Sequence, residues 1–263
     1  MKICKLMMAL FLFLVLIAFA SRYSLAQENP CLMCHVSFKQ PAKHVHAVLN
    51  MGCETCHAKV EGSEHPKQKK SIKLTQDMPA LCYGCHKESK FKGETVHSPV
   101  ASGMCTGCHD AHQSNFNHIL KSASPDLCYM CHKKSNFTRK YVHMAIPAVG
   151  CGTCHAPHVS SNPALLPRPV NDLCLSCHAA KAKLPHVVAL PGDKRHPIMG
   201  VKDPSTIKMI NVPDPKRPER QIEVPDPDVP GKEMTCVSCH DPHSSDFRGI
   251  LVQERICIKC HKF

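Results

Sequence analysis

Nine times in 263 residues, two cysteines stand three apart with a histidine directly after the second. The copies are CLMCH at Cys31, CETCH at Cys53, CYGCH at Cys82, CTGCH at Cys105, CYMCH at Cys128, CGTCH at Cys151, CLSCH at Cys174, CVSCH at Cys236 and CIKCH at Cys257. Each presents two thiols and an imidazole from one short stretch of chain. The two sulfurs can add to the two vinyl groups along one edge of a porphyrin. The imidazole that follows is then carried beneath the iron, which is the attachment chemistry of c-type haem. The thioether positions are then Cys31 and Cys34, Cys53 and Cys56, Cys82 and Cys85, Cys105 and Cys108, Cys128 and Cys131, Cys151 and Cys154, Cys174 and Cys177, Cys236 and Cys239, and Cys257 and Cys260. The first axial ligands are His35, His57, His86, His109, His132, His155, His178, His240 and His261.

Zinc ribbons and a disulfide framework also use cysteine pairs at such spacings. Neither explains the histidine. Chance at this composition puts histidine after a given pair with probability about 0.08, so nine in nine has odds on the order of one in ten billion. The reading is therefore nine covalently bound haem c groups, each with its iron.

From Cys82 to Cys174 the motifs recur every 23 residues, a pitch that marks an internal repeat. Motifs alternate between a kind that follows Leu or Pro (Pro30, Leu81, Leu127, Leu173) and a kind that follows Gly52, Met104, Gly150 or Thr235. Two motifs make a module. The second and third modules carry a histidine fifteen residues after their first cysteine, His97 and His143, and another three after the second attachment histidine, His112 and His158. The first module has His46 and, displaced outward, His65; the fourth has His196 and His243. These eight are expected as second axial ligands, making the haems bis-histidine. The ninth motif reads as a lone first half, and its second ligand is sought among His44, His118 and His186. Methionine is the competing ligand type. Met144 and Met199 lie near the right register, but no methionine recurs in every module.

Geometry restricts the wiring. Trans nitrogens on one iron are about 4 Å apart, from metal–nitrogen bonds of about 2.0 Å, with the porphyrin between them. His109 and His112 cannot reach around its edge through two intervening residues. His112 must serve another haem, and the expectation is that this ties neighbouring haems together within a module.

The elements that must position these residues are short. The boundaries read as a secretory leader over 1–26, modules over 27–80, 81–126, 127–172 and 173–255, and the ninth motif over 256–263. The leader is marked by Lys2 and Lys5, an apolar run from Leu6 to Ala20, and the small-residue site Ser24-Leu25-Ala26. Cys4 would leave with it. The apolar run is shorter than the roughly 20 residues of a spanning helix, so no membrane span is expected after cleavage. About 26 residues per haem is far below the 100 to 200 of an ordinary domain. There is no Trp, aromatics are 5%, and Pro numbers 22. A haem-filled interior is implied, within a mostly irregular chain that has short helices at the motifs and little or no sheet. The Pro-rich insertion 197–235 reads as extended chain, either a loop over haem edges or a docking element. A hairpin around Ile207 to Ile210 and Gln221 to Val224 would hold the only strands.

The formal charge of +12 suggests nucleic acid or an acidic membrane at first sight. Loss of Lys2, Lys5 and Arg22 with the leader lowers 33 basic residues to 30, against 21 acidic. Eighteen haem propionates, with one positive charge at each of nine ferric porphyrins, then bring the oxidised protein close to neutrality. The basic surplus is better assigned to propionates than to nucleic acid.

By its nine attachment motifs, the upstream His46, His97, His143 and His196, and the CHxxH endings at His112, His158 and His243, the chain resembles the multihaem c-type cytochromes of the doubled CXXCH family. The resemblance implies an elongated haem array, bis-histidine ligation and export to the periplasm, the outer membrane or the cell exterior. It implies a non-enzymatic conduit for single electrons. Partners would be redox proteins: a quinol dehydrogenase, other multihaem cytochromes, an outer-membrane porin, a terminal reductase, or further copies of the chain in a homopolymer. The competing function is a reductase of nitrite, hydroxylamine or a sulfur oxyanion with one open haem, and the ninth haem is where the sequence would place it.

Overall fold

The computed structural model describes residues 29–183, 186–187 and 196–261. The leader, with Cys4, lies outside the described residues. No helix among the described residues is long and apolar enough to cross a membrane.

Helices are single turns. The longest among the described residues is Val170–Leu175. First-kind motifs begin in such turns, as at Ala80–Tyr83 and Asp126–Tyr129, and second-kind motifs form turns of their own, as at Cys105–Cys108 and Cys151–Thr153. In eight of the nine motifs the histidine N–H donates to the carbonyl of the first cysteine, at 2.9–3.1 Å. One turn of i to i−4 bonding places i and i+3 residues on one face, so both sulfurs lie together with the histidine beyond them. Gly150, at φ 75 and ψ 174, opens the turn of the sixth motif. That region is essentially reserved for glycine, and a Cβ there would sit 2.8 Å from Ser124 Oγ.

Ten strands occur among the described residues, nearly all minimal. They are β1 (His44–Val45), β2 (His57–Lys59), β3 (Ile72–Leu74), β4 (Thr95–Val96), β5 (Gln113–Ser114), β6 (Tyr141–Val142), β7 (Val159–Ser160), β8 (Met209–Asp214), β9 (Arg217–Pro225) and β10 (Ser244–Ser245). All pair antiparallel, as β1–β5, β2–β3, β4–β7, β6–β10 and β8–β9. The β8–β9 hairpin falls where the sequence suggested one, with Ile210 opposite Val224. It does not hold the only strands. The four further ladders are two or three residues long, too short to show any period-2 pattern.

Three of those ladders join consecutive modules. β1 of the first module pairs with β5 of the second, β4 of the second with β7 of the third, and β6 of the third with β10 of the fourth. Each continues into a histidine: the N–H groups of His46, His97 and His143 donate to the carbonyls of His112, His158 and His243 at 2.8–2.9 Å. The modules are interlocked by one repeated junction.

The insertion folds onto itself. Asp203 N–H donates to Lys232 O, and Met234 N–H to Val201 O, each at 2.8 Å, closing the base of the hairpin. Met234 is the one buried hydrophobic residue among the described residues. Side chains therefore supply no apolar core. They line instead a continuous cavity of about 3510 Å³, several times the 300–1,000 Å³ of a pocket for one small ligand.

Candidate haem sites

All nine motif histidines face a second histidine from elsewhere in the chain. The pairs are His35 with His65, His57 with His112, His86 with His46, His109 with His158, His132 with His97, His155 with His243, His178 with His143, His240 with His186 and His261 with His196. Ring centroids are separated by 5.8–6.1 Å throughout. Two imidazole stacks in van der Waals contact would lie closer. An iron between two imidazoles, with bonds of about 2.0 Å and roughly 1.1 Å from each nitrogen to its ring centre, requires about 6 Å. The residues therefore fit a six-coordinate haem iron at every motif.

The paired ring planes are 5–36° apart at eight sites and 72° apart at His196–His261. Cysteines also meet in a fixed pattern. The first cysteine of each first-kind motif lies against the first of its second-kind partner: Cys31 with Cys53, Cys82 with Cys105, Cys128 with Cys151 and Cys174 with Cys236. Burial, then the neighbouring thiol, pushes Cys128 and Cys174 up to about 11. The fourth module keeps this contact across its insertion, which loops out without disturbing the paired motifs. No disulfide joins any two of the eighteen described cysteines, and no three His, Cys, Asp or Glu side chains among the described residues converge as a zinc site requires.

Ring orientation is set by the second nitrogen. Nδ1 of His109, His155 and His240 donates at 2.8 Å to the carbonyl nine residues on, at His118, Ala164 and Gly249. Those three residues share a left-handed backbone, φ 57, 55 and 72. His118 thus holds a backbone position that alanine or glycine fills elsewhere. Neither its ring nor that of His44 faces a motif histidine, since other histidines already occupy all nine places. Nδ1 of His46 and His97 donates to Ala111 O and Pro157 O at 2.8 and 2.9 Å. An outward donor of this kind leaves Nε2 for the metal.

Two expectations from sequence need correction. His112 lies opposite His57 of the preceding module, so the link runs between modules and not within one. The ladder through His46 carries the CHxxH ending back over its neighbour, and His158 and His243 repeat the arrangement. The C-terminal assignment is exchanged as well: His196 faces the ninth motif and His186 faces the eighth. A CHxxH histidine from a fifth module would have faced His240, and His186 takes that place. His65, displaced from the repeat's register, faces His35 of the first motif.

Several supporting residues escaped the sequence reading. Phe38, Phe91 and Phe137 pack against His112, His158 and His243 of the next module at 4.9–5.4 Å. Asp110 and Asp241 accept the N–H groups of His112 and His243 at 2.8 and 3.0 Å. Ser114, Ser160 and Ser245 each cap their loop by donating to the carbonyl six residues on, at Leu120, Leu166 and Leu251. The signal was present as a recurrent H-x-S-x5-L spacing, but a hydroxyl-to-carbonyl bond has no hydropathy signature.

The family model for the doubled CXXCH motif matches residues 46–91, 97–137, 143–183 and 229–263, more than half of the chain. The chain belongs to the doubled CXXCH motif family. This multihaem c-type cytochrome therefore carries covalent haem c at its attachment motifs. The first three matched segments begin at His46, His97 and His143 and extend past His86, His132 and His178. Each encloses one of the facing pairs. The family's unit is thus phased half a module away from the boundaries read from motif spacing. No curated protein matches the chain.

Proposed function

We propose that this cytochrome holds nine bis-histidine haems and conducts single electrons along them between redox proteins outside the cytoplasm. The observation that supports this best is the complete set of histidine pairs. Nine motif histidines meet nine others at one separation, leaving two of the 20 histidines over. Each haem iron, when bound, would alternate between ferric and ferrous states and so move one electron at a time.

The chain's own residues account for the rest. Imidazoles on both sides would leave a bound haem iron no position for substrate, so the site suits oxidation-state change without a binding step. Backbone carbonyls at His118, Ala164 and Gly249 fix the rings that coordinate, limiting rearrangement. Cysteine contacts inside modules and histidine exchange between modules bring successive sites together along a single cavity.

A quinol dehydrogenase, further multihaem cytochromes, a porin, a terminal reductase and other copies of the chain are the partner classes proposed. Export to the periplasm or beyond accompanies that reading. A pyridine haemochrome assay should give about nine haems per chain, and electron paramagnetic resonance of the oxidised protein should show low-spin ferric signals only. A resting high-spin signal, or a haem count well below nine, would overturn the proposal.

A further inference from the structure

We propose that His186 is the exchangeable axial ligand of this array, and that the site it shares with His240 takes up a small exogenous ligand such as carbon monoxide or cyanide. This rests on the bis-histidine reading above.

A histidine bound to metal through one nitrogen normally donates from the other, which fixes the ring and raises its basicity. Losing that acceptor costs 10–100-fold in metal affinity or activity in comparable sites. Of the other eight facing histidines, five have such an acceptor, and the remaining three are held by neighbouring groups. His46, His97 and His143 donate to the carbonyls of Ala111, Pro157 and Pro242. His65 hydrogen-bonds Ser71 Oγ at 3.0 Å, and His196 donates to Pro197 O at 2.9 Å. His112 and His243 have carboxylates at 3.6 and 3.7 Å. His158 has the edge of Phe91 against its ring, and its carbonyl is held by His97. Nδ1 of His186 is buried with no hydrogen-bond partner among the described residues. His44 Nε2 shares that condition but faces no motif histidine.

Position points the same way. The three CHxxH histidines are pinned by a ladder to the neighbouring module, whereas His186 belongs to none of the ladders among the described residues. Lys181 lines the same cavity as His186 and His240, which places a cation in the space an incoming anion would enter. In the exchange, the iron–nitrogen bond to His186 breaks as a bond to the incoming ligand forms, with no change of oxidation state. The released ring can turn its N–H toward water.

The test is carbon monoxide uptake by the reduced, full-length, haem-loaded protein, read from the Soret difference spectrum and scaled to the haemochrome total. One haem of the nine should respond, with at least 10-fold higher affinity than the rest. His186→Ala should stay at one and His97→Ala should rise to two. No uptake by the unsubstituted protein where His97→Ala takes up one, equal uptake by several haems, or a second responding haem in His186→Ala would each overturn the assignment. If His186→Ala does not load fully, the site is located by cyanide binding to the ferric protein. Lys181→Glu should weaken it several-fold and Lys134→Glu should not, and equal affinities would overturn the assignment. Resting low-spin signals test the parent reading separately, because the exchange requires added ligand.

Discussion

At the scale of single residues, a histidine's role follows from what its second nitrogen and its carbonyl touch. His112 sits three residues from the attachment histidine of one motif and opposite that of another. His112→Ala should therefore produce a high-spin signal from the second haem. Adding Cys53→Ala and Cys56→Ala, which remove that haem, should abolish the signal; if His112 served its own module, the signal would persist. The His196–His261 pair is the outlier in ring orientation. Parallel imidazole planes split the two iron d orbitals of π symmetry, and perpendicular planes leave them nearly degenerate. About one ferric spin in nine should then carry the strongly anisotropic low-spin spectrum, and His196→Ala should remove it.

At the scale of elements, the insertion has a structural task that its Pro-rich composition conceals. Asp203, 3% exposed, accepts from Ser205 N–H at 3.0 Å and lies 3.9 Å from Lys259 Nζ, inside the ninth motif. Lys259 in turn donates to Ser238 O, inside the eighth motif. Burial alone would push the Asp203 carboxyl up, but hydrogen bonds from Ser205 and Ser238 and the Lys259 charge outweigh it, and it titrates below the usual carboxylate range. A folded value below the unfolded one contributes stability that is complete above about pH 4 and is lost as pH falls through the folded value. Melting followed by calorimetry should show this acid loss. Asp203→Ala should cost about 1–3 kcal/mol at neutral pH, because it leaves buried donors unpaired, and should flatten the acid limb.

At the scale of the whole molecule, the array resembles other repeat proteins in that no unit is complete alone and the ends need special caps. Ligands are exchanged at every junction. Cutting after residue 126 would leave haems at Cys31, Cys53 and Cys82 complete and strand the one at Cys105, whose facing His158 is gone. Cutting after residue 172 would strand only the haem at Cys151, whose facing histidine is His243. Each truncated protein should show one high-spin haem by electron paramagnetic resonance. Self-contained modules would show none.

The sequence by itself determined the local chemistry. A cysteine pair and its histidine lie within five residues, so attachment sites, first ligands and cofactor class were legible from spacing alone. Recurrence from module to module also marked seven of the nine facing histidines, and the hairpin in the insertion could be read from its apolar residues. The tertiary structure decided which histidine faces which. That choice depends on two-residue ladders between segments 60 to 100 residues apart, such as Val45 with Gln113 and Val142 with Ser244, whose register no periodicity records. Only the folded chain shows that His65 and His186, which fit no repeat position, face His35 and His240.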